Sequence, residues 1–142
     1  MQRNRSMPAG IITPELGYRD VDRAAEWLCE AFGFAPRIRI PGHRVQLDLG
    51  GGAVIVRERQ ACDIPFPPDI EWPFAVMIRV DDVDGHCERA IRAGARLLSP
   101  PTDHPYGERQ YSCRDIGGHA WTFSQSIADV APGAWGGIEV AD

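Results

Sequence analysis

Tyr18-Arg19-Asp20-Val21-Asp22 returns 62 residues later as Val80-Asp81-Asp82-Val83-Asp84, so the chain is built from a repeated unit. Self-similarity at a fixed offset marks one supersecondary unit used twice. In both copies a β-like stretch leads into the motif, residues 11–18 in the first and 74–80 in the second, and Asp-Val-Asp then opens a helix. Asp20 and Asp82 suit the N-cap, where a side-chain oxygen accepts an otherwise orphaned backbone N–H. The acids that follow favour the positive end of the helix dipole. Val21, Ala24, Ala25, Leu28 and Phe32 form one buried stripe at helical spacing, and Val83, Cys87, Ala90 and Ile91 form another. Gly33 and Gly94 stand where each helix has to stop.

A second echo closes each half. Gly51-Gly52-Ala53-Val54-Ile55-Val56 resembles Gly117-Gly118-His119-Ala120-Trp121-Thr122, at an offset of 66. The difference from 62 is what one loop of altered length supplies. Each half then reads as strand, helix and three strands. The first half has strands at 11–18, 36–40, 44–49 and 53–58 with a helix at 21–32. The second has strands at 74–80, 96–99, 109–114 and 120–124 with a helix at 83–93. Pro41-Gly42, Gly50-Gly51-Gly52 and Gly117-Gly118 mark turns. The expected class is α+β with two tandem modules. Residues 1–10 form an N-terminal extension, 11–60 and 74–126 the modules, 61–73 an apolar, proline-rich linker, and 127–142 a loose tail rich in Gly and Ala.

Composition narrows the function. A chain of 142 residues with 44% hydrophobic and 25% charged residues is ordinary for a globular protein. No apolar run is long enough to span a bilayer, and no signal-peptide stretch follows Met1 to Ser6, so a cytoplasmic location is the default. A net charge of −5 without a Lys/Arg stripe argues against nucleic acid as a partner. Cys29, Cys62, Cys87 and Cys113 lack any C-x-x-C pairing, which predicts neither a zinc site nor a disulfide framework. Cys29 and Cys87 read as small core residues. His43, His86, His104 and His119 have no ligand spacing and read as surface groups. No Ser/His/Asp or Cys/His arrangement and no phosphate-cradling glycine loop is legible.

The pattern resembles the vicinal oxygen chelate superfamily of glyoxalases, extradiol dioxygenases and bleomycin-resistance proteins. The resemblance runs from Ile11 to Ser126. It is carried by Val80-Asp81-Asp82-Val83-Asp84, by Pro105-Tyr106-Gly107-Glu108-Arg109, and by Arg114-Asp115-Ile116-Gly117-Gly118-His119-Ala120-Trp121-Thr122-Phe123. The last is similar to the family's D-P-x-G-x-x-W/I-x-F ending, with Ile116 in place of the usual proline. The resemblance implies paired βαβββ modules forming a half-barrel cleft, completed in a homodimer. It also implies that metal ligands, where present, sit on the first and last strands of each module. Those positions align with Thr13, Val56, Ala75 and Thr122, none a metal donor of the usual kind. A shift of two along the first or fourth strand would introduce Glu15 or Glu58. No metal and no other cofactor is therefore expected.

Strand alternation assigns faces. Apolar Ile12, Pro14, Leu16 and Tyr18 should meet the helix and leave Glu15 toward the cleft, and likewise Val76, Ile78 and Val80 leave Met77 and Arg79. Gln46, Asp48, Val56, Glu58 and Thr122 complete the strand contribution. Tyr106 and Arg109 come from the loop beside the cleft. These ten residues form the expected ligand-binding set. Trp72 and Phe66 of the linker are expected at the dimer seam. A metal-free small-molecule binder, nearest to the bleomycin-resistance branch, is the leading expectation. The alternatives are a metal-dependent lyase, isomerase or dioxygenase, and a cofactor-free enzyme using Glu15 or Glu58 as general base.

Overall fold

Both helices start and stop where their caps dictate. In a computed structural model that describes residues 1–60 and 74–140, Asp20 accepts from the Arg23 amide at 3.1 Å and Asp82 from the Gly85 amide at 3.1 Å. They open α1, Val21–Phe32, and α2, Val83–Arg92. Gly33 closes α1 in the left-handed region, at φ 83°, with its amide on the Cys29 carbonyl.

The first module continues with β1 (Glu15–Tyr18), β2 (Ala35–Ile40), β3 (Arg44–Leu49) and β4 (Gly52–Glu58). The second has β5 (Val76–Arg79), β6 (Arg96–Asp103), β7 (Glu108–Arg114) and β8 (Ala120–Ser126). Each module forms its own four-stranded mixed sheet, in the orders β1-β4-β3-β2 and β5-β8-β7-β6. The first strand runs parallel to the last in each, and the other pairs are antiparallel. The fold is therefore α+β with tandem βαβββ modules, and neither sheet closes into a barrel. β1 is shorter than its sequence suggests: Ile11 and Ile12 are exposed outside it, and Pro14 joins the ladder only through its carbonyl, having no N–H to donate. β6 runs longer, and its Pro100-Pro101 pair sits on the sheet edge, where a missing donor is tolerated.

One core serves both modules. Leu16, Tyr18, Val45, Leu47, Val54 and Val56 pack beneath α1, while Tyr111, Cys113, Trp121 and Phe123 pack beneath α2. Phe32, at the end of α1, joins the two: its ring centroid lies 4.8 Å from Phe123 and 5.1 Å from Trp121. Truncating such a residue costs about 3–5 kcal/mol. The Trp27 indole donates to the Ala93 carbonyl at 2.6 Å, and the Arg89 guanidinium donates to the Glu30 carbonyl at 2.7 Å. A buried carboxylate ties β1 to the far module. Asp115 accepts the Tyr18 hydroxyl, the Trp121 indole N–H at 2.9 Å, and the amides of Gly117 and His119. His119 Nε2 donates to the Gly17 carbonyl at 2.9 Å.

Among the described elements, the backbones of the two modules approach most closely at α1 and α2, and Gly17, Tyr18, Phe32 and Phe34 add contacts to His119, Asp115, Trp121 and Phe123. Each sheet thus turns its other face away from the helices, and the two uncovered faces do not meet within one chain. No helix among the described residues is long and apolar enough to cross a membrane. Phe66 and Trp72, expected at a dimer seam, lie outside the described residues.

Candidate functional site

Register decides which side chains the uncovered faces carry, because directly paired residues share a face. In the first sheet Glu15 pairs with Ile55, Gln46 with Ile55 and Ile38, and Asp48 with Ala53. Glu15, Gln46 and Asp48 therefore lie on the uncovered face, as expected. The Glu15 carboxylate holds Arg44 at 2.8 Å. Gln46, only 8% exposed, accepts from Arg37 Nη1 at 2.5 Å, and the Arg37 Nε stands 4.0 Å from Asp48.

Val56 and Glu58 belong elsewhere. Val56 pairs with Leu16 and with Val45 and is fully buried under α1, so it is a core residue and not a ligand contact. Glu58, two residues on, shares that helix side, is exposed at the strand end, and meets His43 Nδ1 at 3.0 Å. The β4 residue that faces the cleft opposite Glu15 is Ile55.

The second sheet presents Met77 and Arg79 on its uncovered face, paired with Thr122 and Ser124. Met77 is 60% exposed. Thr122 shares a hydrogen bond with Ser112 at 2.9 Å, and Arg79 donates to the Ser126 hydroxyl at 2.7 Å. Tyr106 adjoins this face: its hydroxyl donates to Gln110 at 3.0 Å, its ring stacks on His104 with centroids 5.2 Å apart, and Trp135 meets it edge-on at 5.4 Å. The Tyr106 loop depends on Gly107, at φ 83°, where a Cβ would stand 2.4 Å from the Ala128 carbonyl oxygen. Beyond β8 the chain thus folds back over the loop, although its composition suggested a loose tail. Arg109 turns the other way, donating to Asp84 at the start of α2 and to Asp103, at 3.0 and 2.9 Å. It is an ion-pairing residue on the helix side and not part of the cleft.

Three residues on the second face escaped the sequence reading. Glu108 accepts from Ser124 at 2.7 Å, and Gln110 donates to the same hydroxyl at 3.0 Å; Ser112 holds Thr122. Hydrogen bonds from Ser126 and Ser124, then the charge of Arg79, hold the Glu108 carboxyl below its ordinary value. The signal was available: Glu108, Gln110 and Ser112 alternate in phase along β7 and pair with Ser126, Ser124 and Thr122.

Seven of the ten expected residues thus lie on two faces, Glu15, Gln46 and Asp48 on the first sheet and Met77, Arg79, Tyr106 and Thr122 on or beside the second, while Val56, Glu58 and Arg109 lie elsewhere. Both are polar hydrogen-bonding surfaces with apolar residues between, Ile38, Ile40 and Ile55 on the first and Met77 on the second. Either can fix a ligand's orientation, and neither encloses one alone. A recess of about 660 Å³ opens on the seam between modules, lined by Phe32, Phe34, Val54 and His86 and bordered by Ala53 of the first face and Met77 and Arg79 of the second. His86 Nδ1 lies 2.5 Å from the Tyr111 hydroxyl, and burial, aided by the Arg89 charge, lowers the His86 pKa.

Of the four positions the resemblance implies, Thr13 and Ala75 precede β1 and β5, Val56 is turned into the core, and Thr122 pairs with Met77; beside them on the uncovered face Glu15 pairs with Ile55. One carboxylate, already paired with Arg44, does not make the set of donors that a divalent ion needs. Among the described residues, no three His, Cys, Asp or Glu side chains are grouped to hold one. The residues present do not fit the superfamily's metal.

Comparison with known proteins agrees with this architecture. TioX from Micromonospora sp. ML1 is 36% identical, with a TM-score of 0.67 over 84% of this chain and all of that one. TnmS3, an antibiotic binding protein from Streptomyces sp. CB03234, has the same fold at 21% identity and TM-score 0.66, over 83% of this chain and 96% of that one. An uncharacterised protein of Mycobacterium tuberculosis is 26% identical over 133 residues, 84% of this chain and 76% of its own. The family profile itself matches residues 10–123. The duplicated modules, the Asp115 turn and these matches lead to one conclusion: the chain belongs to the glyoxalase/bleomycin resistance protein/dioxygenase superfamily.

Proposed function

We propose that this protein binds a small molecule without a metal, holding it between the first-sheet face of one protomer and the second-sheet face of another in a homodimer. One observation carries the reading. Each module leaves a face of polar, hydrogen-bonded side chains without a helix over it, and the helical packing keeps the two faces of one chain apart. A second copy brings complementary faces together, and a two-fold interface does so twice. Ile38, Ile40 and Met77, exposed on these faces, supply apolar area for the ligand or the seam. The donor set on the strands supports a metal-free site, and the description of TnmS3 as an antibiotic binding protein supports a binding role.

The test is a thermal-shift panel of cationic glycopeptides and aromatic natural products. A ligand at a hundred times its Kd stabilises the folded state by about 2.7 kcal/mol, a clear rise in Tm. A panel without a single stabilising compound would count against the reading. Metal analysis of the purified protein is the companion measurement: stoichiometric Ni, Zn, Fe or Mn would overturn the metal-free assignment.

A further inference from the structure

Residues 1–10 lie across the uncovered face of the first sheet, and the way they are held describes what that face recognises. The Arg5 carbonyl accepts from Arg37 Nη2 at 2.5 Å, and the next carbonyl, of Ser6, accepts from Gln46 Nε2 at 2.8 Å. The two donors are themselves joined, Arg37 Nη1 to Gln46 Oε1 at 2.5 Å, so they form one linked pair that meets consecutive carbonyls. Asn4 shapes the segment: its side chain accepts the Ser6 amide at 3.0 Å and its carbonyl accepts the Met7 amide at 3.1 Å. Only Pro8 of the ten residues is buried. The extension therefore touches the sheet mainly through backbone acceptors. A recess of about 840 Å³ remains between it and the sheet, lined in part by Met7, Thr13, Arg37, Asp48 and Ala53. Ala53 and Ile55 point to this face and are nearly buried, although no helix covers them.

We infer that Arg37 and Gln46 form a carbonyl-binding subsite, that residues 5 and 6 fill it in the free protein, and that the ligand displaces them. The ligand class that fits is peptide-like: a molecule carrying adjacent amide-type carbonyls. This inference rests on the reading of the uncovered face as the ligand site. A segment with so few buried apolar contacts opens readily, so the extension competes with the ligand without blocking it. The apparent affinity is lowered by the fraction of time the subsite is occupied.

Two measurements test this without any panel compound. The first is tryptic cleavage after Arg5 in the intact protein against a synthetic peptide of residues 1–10. Docking predicts cleavage at least about tenfold slower in the protein; cleavage at the peptide's rate overturns the inference. The second titrates that peptide into the chain shortened to residues 11–142, first checked for cooperative unfolding, while following the Gln46 side-chain amide by NMR. Tethered segments act at effective concentrations on the order of millimolar, so saturable shifts are expected in that range. The intact chain should give none, and Arg37→Ala in the shortened chain should abolish them. No saturable shift at several millimolar, or equal shifts with the intact chain, refutes the subsite. If the shortened chain does not fold, Pro8→Asp in the intact protein replaces it, with loss of protection after Arg5 as the expected result and unchanged protection as the contrary one. A silent ligand panel would sink the binding role while leaving this question answered by its own data.

Discussion

Replacing Tyr18 by Phe removes one oxygen and tests the carboxylate that ties the two modules. Tyr18 is buried, and its hydroxyl donates to Asp115, which also accepts the Trp121 indole and two backbone amides. The substitution leaves the ring packing in place and takes one of four donors from a buried charge. A hydrogen bond to a charged group contributes about 1.5–3 kcal/mol. In a chain of this size each kcal/mol moves Tm by roughly 3–4 °C, so the variant should melt about 5–10 °C lower. Urea unfolding should show the loss as a lower midpoint with an unchanged m-value. A double-mutant cycle with Asp115→Asn should give a coupling of at least about 1 kcal/mol. Alkaline pH adds an independent check. Burial first, and then the Asp115 charge, raise the Tyr18 pKa above its ordinary 10. The folded state therefore keeps its proton where the unfolded state loses it. This contribution is full below pH 10 and declines as pH rises beyond it; Tyr111 and Cys113 carry raised values too, so the Phe variant should show a shallower alkaline decline than the native protein. A cost under about 0.5 kcal/mol, or strict additivity with Asp115→Asn, would refute the inter-module role.

Three further perturbations test the packing around this core. A Cβ at Gly117 would sit 2.5 Å from the Tyr18 ring, so Gly117→Val should cost about 1–3 kcal/mol. Gly51→Ala, with nothing within 4 Å, should stay within about 0.5 kcal/mol by the same urea titration. The lowered pKa of His86 means that the unfolded chain binds protons more readily than the folded one below the histidine's ordinary 6.5. Stability is then complete above that pH and falls as pH drops from 6.5 toward the lowered value. Unfolding midpoints at pH 7.5 and 5.5 should diverge more in the native protein than in His86→Gln, and equal divergence would remove His86 from the account.

The fold was legible because its punctuation is local. Asp20, Asp82 and Gly33 cap helices through contacts within a few residues, and the apolar stripes declare their period directly. The faces of the second module were legible too, since Val76 and Ile78 alternate with Met77 and Arg79. β4 defeated the same reasoning. Ala53-Val54-Ile55-Val56 is apolar on both sides, so alternation is silent and only pairing with Leu16 and Val45 assigns Val56 to the core. Arg109 misled for another reason: its partners Asp84 and Asp103 lie on a different helix and strand, and long-range ion pairs leave no periodic trace. The docking of residues 1–10 was equally invisible, because it uses backbone carbonyls that any sequence possesses.

In the proposed dimer each binding site takes its two faces from two protomers, and complementation between variants tests this directly. Asp48→Arg blocks the first face and Thr122→Arg the second, so each variant alone should lose binding of the panel compound that gives the largest thermal shift. Refolded together in equal amounts, half of the dimers are mixed and carry one intact site of two. Calorimetric titration of the mixture should recover about a quarter of the native sites at native affinity. A mixture that binds nothing, or either variant binding fully by itself, would contradict it.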